Sequence, residues 1–98
     1  MASVLVIGEM EGGSLTATTF ELLGAASRLS ADLGGGVSCA LIGAGVAAGA
    51  EAAISAGADT VYVAESDGLA QYQTETYVPV AAAITEQDAP KVILTAQS

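Results

Sequence analysis

Four short runs of apolar residues recur along the chain and predict buried β-strands. They cover residues 4–7, 37–42, 61–64 and 92–94. A continuous apolar run, in contrast to an alternating one, is typical of a parallel strand that is covered on both faces. The segments between the runs are long enough for crossover helices. The pattern therefore predicts β-α-β-α-β-α-β in one α/β domain, with four strands and three helices.

The first crossover carries the signals of an amphipathic helix. Thr18 and Glu21 have the spacing of a capping box, which predicts a helix start. Apolar residues then recur at intervals of four, three and four and predict one buried face: Leu22, Ala26, Leu29 and Leu33. We expect the glycines at residues 34–36 to end this helix.

The other two helices are predicted from their ends. The second helix is expected over residues 46–56, with Gly57 in the left-handed conformation of a C-cap. In the third, Pro79 lacks an amide donor and is expected in the first turn. Its body should reach Gln87, and residues 88–90 should end it.

The handedness of crossovers predicts the layers. Right-handed connections place the first two helices on one face of the sheet. If the fourth strand returns to pair beside the first, the third helix lies on the other face. That face then has a single helix, and an apolar fourth strand forms an edge. We therefore expect more chain or a partner to cover this region, or the isolated chain to self-associate.

Composition and charge exclude several classes of function. The net charge of −9 disfavours nucleic acid and anionic membrane surfaces as partners. Without histidine, and with Cys39 alone in a predicted buried strand, zinc sites and Ser-His or Cys-His catalysis lack their residues. No run is long enough to cross a bilayer and no signal or transit peptide is apparent, so a cytoplasmic location is expected.

A glycine motif follows the second predicted strand. Gly43 and Gly45 begin a GxGxxA pattern at a predicted helix start, and Glu65 ends the next strand. In a dinucleotide site these parts bind pyrophosphate and ribose. Such a motif normally follows the first strand, however, and glycine-rich turns also occur without ligands. A nucleotide site and a tight strand-to-helix turn are both open interpretations.

Other residues with chemical potential have ordinary structural interpretations. Glu9 and Glu11 follow the first strand, where they serve either solubility or paired acid-base catalysis. Met10 is interpreted as a loop or interface side chain. The tyrosines are expected to pack against the domain instead of stacking on a flavin: Tyr62, Tyr72 and Tyr77. No Walker phosphate loop is present.

The order of these segments resembles the N-terminal domain of the electron transfer flavoprotein alpha subunit. The resemblance covers essentially all 98 residues. Its parts are residues 4–9, 13–15, 21–26, 57–64 and 91–94. It implies a three-layer Rossmann-like fold of the adenine nucleotide alpha hydrolase-like type, with residues 1–98 forming the domain, truncated on its C-terminal side.

The resemblance also implies a function. In that family the alpha subunit forms a heterodimer with a beta subunit, which carries electrons from flavin dehydrogenases, as in fatty acid beta-oxidation, to a membrane-bound quinone oxidoreductase or another acceptor. FAD is held mainly by the alpha subunit's C-terminal domain, and AMP by the beta subunit. Met10 replaces the family's usual histidine. The chain ends before the flavin-binding segment, so no position matches an FAD-binding or catalytic residue.

The resemblance thus predicts a structural and subunit-contact domain that is not itself an enzyme, with no catalytic, cofactor-binding or metal residues. The alternative is a free-standing adenine-nucleotide or dinucleotide-binding module that uses Gly43, Gly45 and Glu65.

Overall fold

The computed structural model describes residues 2–43, 45–65 and 74–95. Six strands and three helices lie in this part of the chain. In order they are β1 (Ala2–Ile7), β2 (Met10–Glu11), β3 (Ser14–Leu15), α1 (Ala17–Leu33), β4 (Gly36–Gly43), α2 (Ala50–Ser55), β5 (Thr60–Glu65), α3 (Thr74–Asp88) and β6 (Val92–Thr95). A single 3-10 turn, Val46–Gly49, precedes α2.

The four predicted strands form one parallel sheet in the order β5-β4-β1-β6. Each contains its predicted apolar run, and the last strand pairs beside the first, which is the arrangement for which the sequence places the third helix on the other face. The α/β class with four parallel strands and three helices is likewise confirmed. The short hairpin of β2 and β3 was not predicted.

The strands present side chains to two separate cores. Alternate residues such as Val4, Cys39 and Leu41 pack with Leu23 of α1 and Ala53 of α2. We call this side the α1–α2 face. The intervening residues pack on the opposite side, the α3 face: Leu5, Ala40 and Ile42 with Ile84. Placement of helices on both faces follows from right-handed crossovers and gives the three layers.

The start and the buried face of α1 differ from the prediction. Thr16 is the N-cap, and its Oγ1 accepts a hydrogen bond from the Thr19 amide, so the predicted start at Thr18 is wrong by two residues. The buried positions include two polar residues: Thr19, Leu23, Ala26 and Ser30. Leu29 is exposed, which contradicts its predicted place in the core. Local hydrogen bonds make the buried hydroxyls tolerable.

The second and third helices also differ in extent. Residues 46–49 form a 3-10 turn, so only the later part of the predicted second helix is α-helical. Gly57 has the expected positive φ, at 121°. Helix α3 begins at Thr74, so Pro79 lies in its interior and not in its first turn. The helix ends at Asp88, one residue beyond the prediction.

Candidate functional site

The carboxyl end of the sheet, where β1, β4 and β5 finish, is where open α/β folds usually bind ligands. Gly43 and Glu65 are register partners there, so the structure brings these two predicted residues together. Gly45 is exposed, with φ of 68°. Ala44 and the side chain of Glu65 lie outside the described residues. The backbone therefore has the turn that the motif predicts.

The helix after this turn is short. Gly45 leads into a four-residue 3-10 turn, and the α-helix that follows has six residues. A pyrophosphate site depends on the aligned peptide dipoles of a helix pointing at the anion. With so few aligned peptides, this element favours the interpretation of Gly43 and Gly45 as a strand-to-helix turn. The nucleotide interpretation stays a prediction.

Met10 of β2 and Leu15 of β3 pack against the 3-10 turn that follows Gly45. A Cβ atom at Gly49 would lie 2.5 Å from the Met10 Sδ and 3.0 Å from the Leu15 Cδ2. Both side chains pack against the α1–α2 core. Met10 therefore works as a packing residue. The Gly12-Gly13 pair, with φ of 61° and 82°, is the signal that could have predicted this hairpin.

The backbone of Glu9 is held by Thr19. Its amide donates to the Thr19 Oγ1 over 2.9 Å, and the same oxygen lies 2.8 Å from the Thr16 Oγ1. Thr19 is fully buried, and a Cβ at Gly8 would lie 2.8 Å from its Cγ2. Glu11, in contrast, is exposed on β2. These contacts fix the corner between β1 and α1, and the exposure of Glu11 fits the solubility interpretation.

Cys39 lies in the middle of the sheet and is buried, as predicted. Burial raises the pKa of its thiol from 9.0 to about 11, although a hydrogen bond with the backbone of Gly8 opposes this shift. The thiolate is the nucleophilic form of cysteine. At neutral pH this side chain is therefore a small apolar packing group.

The amino end of the sheet holds a buried polar cluster that the sequence did not predict. Ser38 and Tyr62 each donate a hydrogen bond of 2.8 Å to the Oδ1 of Asp88. Asp88 is 5% exposed, and its Oδ2 is buried without a hydrogen-bond partner. The bond to Asp88 and partial desolvation raise the pKa of Tyr62. This cluster joins the end of α3 to β4 and β5.

Tyr62 also contacts the α3-face core, in agreement with its predicted packing role. Tyr72 and the side chain of Tyr77 lie outside the described residues. Asp88 precedes Ala89 and Pro90, and this local sequence predicts the end of a helix. It gives no sign that the Asp88 carboxylate is buried.

Within the part of the chain that the structure describes, no group of three or more histidine, cysteine, aspartate or glutamate side chains could hold a metal ion. No described helix has the length and apolar character needed to cross a bilayer.

Comparison with known proteins identifies the family. The model of the electron transfer flavoprotein domain matches residues 4–98. Proteins described as electron transfer flavoprotein subunit alpha are similar: 36% identity over 93% of this chain in Bacillus subtilis, and 34% over the whole chain in Syntrophomonas wolfei. A third, from Thermoanaerobacterium thermosaccharolyticum, is 34% identical over 93% of the chain. The chain spans 27%, 30% and 28% of these relatives, respectively. It belongs to the electron transfer flavoprotein domain family.

Proposed function

We propose that this chain is the N-terminal structural and subunit-contact domain of an electron transfer flavoprotein alpha subunit. With a beta subunit, the complete protein would shuttle electrons from flavin dehydrogenases to a quinone oxidoreductase or another acceptor, in the cytoplasm. The domain itself would be scaffold and contact surface, and not an enzyme. The observation that carries the proposal is the match of the family model to nearly the whole chain.

The packing of the carboxyl end supports a structural role. Gly8 and Gly49 lie against Thr19 and Met10, so two of the positions nearest the usual ligand site are occupied by the chain's own side chains. The one buried thiol is protonated at neutral pH because its pKa is raised to about 11. The Cys39 thiol therefore serves as a packing group.

The described residues offer a poor fit to FAD. The glycine turn at Gly43 and Gly45, which has a nucleotide-like arrangement, leads into a short 3-10 turn and not into a long helix. The family resemblance implies that the alpha subunit's C-terminal domain holds FAD and that the beta subunit holds AMP, and we propose the same division here. FAD supplies the electron-carrying chemistry in the complete protein, and this domain would contribute the surface on which the subunits meet.

Two measurements on the purified chain test the proposal. Flavin fluorescence titration should show FAD binding no tighter than about millimolar. Co-expression with a beta subunit of the same family, with affinity purification through either chain, should recover both. A yellow chain holding one tight FAD would contradict the scaffold role. Failure to recover the beta subunit with a chain that circular dichroism shows to be folded would contradict the contact role.

The second candidate function is a free-standing nucleotide-binding module, favoured by the pairing of Gly43 with Glu65. Calorimetric titration with AMP, ATP and NAD tests it directly. If the module binds nucleotide, Gly45→Val should abolish binding by blocking approach of the ligand to the backbone.

Gly34→Val is the matched control for that variant. Gly34 has φ of 79°, close to the 68° of Gly45, and neither glycine would place a Cβ within 4 Å of another group. Gly34 lies after α1, away from the carboxyl end. Loss of binding in Gly45→Val alone would support the module. No heat of binding in the unaltered chain, or equal losses in both variants, would contradict it.

A further inference from the structure

Helix α3 is attached to the sheet differently from α1. Its side chains that pack on the sheet recur at intervals of four residues, and they are Val80, Ile84 and Asp88. Val80 and Ile84 contribute to the α3-face core, whereas Asp88 ends this row with a buried carboxylate. None of the buried side chains of α1 is charged. The last contact of α3 with the sheet is therefore made by hydrogen bonds to an acid.

The hydrogen bonds of Asp88 are concentrated on one of its oxygens. Ser38 and Tyr62 both donate to Oδ1, each over 2.8 Å. Oδ2 is buried and has no hydrogen-bond partner among the described residues. A buried carboxylate oxygen without a donor has lost the hydration that it has in water. The cost of burying Oδ2 therefore offsets part of the stabilisation from the two hydrogen bonds.

The end of α3 contains two further unfavourable features. Asp88 is the last residue of the helix, and the last turn contains no basic residue, so the carboxylate lies at the negative end of the helix dipole. Ala89 follows with φ of 52°, a conformation that residues other than glycine rarely adopt. Both features disappear when the end of the helix leaves the sheet and unwinds.

Pro79 weakens the connection between the two parts of α3. It lies inside the helix, between residues 74–78 and residues 80–88. Proline has no N–H group and cannot donate to the carbonyl four residues earlier, so one hydrogen bond of the helix is missing at this point. Residues 80–88 can therefore unwind without support from, or effect on, the hydrogen bonds of the first turn.

We infer that residues 80–88, which we call the α3 cover, open locally while the rest of the fold stays intact, and that Asp88 with its two donors holds the cover closed. Opening hydrates both Asp88 oxygens and relaxes Ala89, and these gains offset much of the loss of the two hydrogen bonds. The open form exposes Leu5 and Ala40, which pack with Ile84 in the closed form. The α3 face thus becomes accessible through a local transition.

Native-state hydrogen exchange of the purified chain, followed for each amide by NMR, tests the inference. After correction for intrinsic rates, amides of residues 84–88 should exchange at least about tenfold faster than those of residues 23–30 in α1. Ser38→Ala removes one bond to Asp88 and should accelerate exchange of the α3 cover by roughly 5- to 30-fold. Tyr62→Phe removes the other bond and should act in the same direction.

Ser30→Ala is the matched control for Ser38→Ala. Ser30 is also buried, and its Oγ donates to the carbonyl of Ser27 over 3.0 Å, but it lies on α1. Since α1 is folded in both the closed and the open form, this variant should leave exchange of the α3 cover within about twofold of the unaltered chain.

Three results would overturn the inference. The first is exchange of the α3 cover as slow as that of α1, because both would then open only by global unfolding. The second is equal acceleration of the α3 cover by Ser38→Ala and Ser30→Ala. The third is an unchanged rate in both Ser38→Ala and Tyr62→Phe, with the fold of each variant verified by circular dichroism.

Discussion

At the carboxyl end of the sheet, Gly8 and Gly49 let neighbouring side chains approach closely, whereas at the amino end Ser38 and Tyr62 hold α3 through hydrogen bonds to Asp88. In many α/β proteins the carboxyl end is kept open for a ligand. Here that end contains close packing around Thr19 and Met10, and the buried carboxylate of Asp88 lies at the opposite end. Both ends of the described sheet therefore hold the helices against the strands. The carboxyl end does so by close packing, and the amino end does so by hydrogen bonds to Asp88.

The largest effect is expected from crowding the carboxyl end. In Gly8→Val, the new Cβ would lie 2.8 Å from the Thr19 Cγ2 and 3.2 Å from the Leu41 Cδ2, both in the buried interior. Overpacking of this kind should lower the free energy of unfolding by about 3 kcal/mol or more. Urea denaturation followed by circular dichroism measures it.

Gly24→Ala is the control for Gly8→Val. Gly24 lies inside α1, and a Cβ there would meet only the Arg28 Nη1, at an ordinary distance of 3.8 Å. Alanine at this position should raise the free energy of unfolding by about 0.5 to 1 kcal/mol through helix propensity. If Gly8→Val were tolerated as well as Gly24→Ala, the close packing at the carboxyl end would not matter for stability.

The parts of this comparison that the sequence predicts are those set by apolar runs and glycines. All four strands and the turn at Gly43 and Gly45 follow from local patterns, and right-handed crossovers give the faces of the helices once the fourth strand pairs beside the first. A buried strand reads as continuous apolar sequence wherever it lies in the chain. The carboxyl-end turn of the candidate site was therefore predictable, although its use by a ligand was not.

Contacts between distant polar residues were not predictable. Thr19 and Ser30 are buried on α1 because their hydroxyls have hydrogen-bond partners, and so the apolar periodicity predicted the wrong face at Leu29. Asp88 is buried because α3 brings it to Ser38 and Tyr62. Hydropathy assigns serine, threonine and aspartate to the surface, and it carries no information on the hydrogen bonds that make their burial possible.

The next effect concerns alkaline pH and the thiol beneath Gly8. The folded-state pKa of Cys39 is raised to about 11 from 9.0, so folding favours the protonated thiol. Its contribution to stability is complete below pH 9.0 and is lost as the pH rises toward 11. We expect a loss of about 2 kcal/mol by pH 11, relative to pH 8.

Cys39→Ala separates this effect from others. The variant should be less stable at pH 8 because it loses buried atoms, but its stability should fall less steeply between pH 9.0 and about 11. Tyr62, whose pKa is also raised, adds a loss in the same direction above its own ordinary value of 10.0. Parallel pH profiles of the unaltered chain and Cys39→Ala would argue against a thiol that is buried as described.

A smaller effect is expected from the hydrogen bonds at the amino end. Tyr62→Phe removes one donor to the Asp88 Oδ1 and should cost about 1 kcal/mol, and Ser38→Ala should cost about 1 to 2 kcal/mol because Ser38 is more deeply buried. Since both hydroxyls bond to one oxygen, the double variant should show coupling. Urea denaturation of the double-mutant cycle measures it. Strict additivity would mean that the two bonds act independently.

The smallest effect is expected just beyond the same cluster. Ala89 follows α3 with φ of 52°, a left-handed conformation that favours glycine, and its amide donates to the Thr85 carbonyl over 2.8 Å. Ala89→Gly should therefore raise the free energy of unfolding by about 0.5 to 1 kcal/mol, after the entropy cost of a new glycine. Ala83→Gly makes the same change at an exposed position inside α3 and should lower stability by a similar amount. Urea denaturation measures the change in the free energy of unfolding for both variants. Changes of opposite sign would show that the backbone at Ala89 is strained, while equal decreases would show that Ala89 has an ordinary conformation.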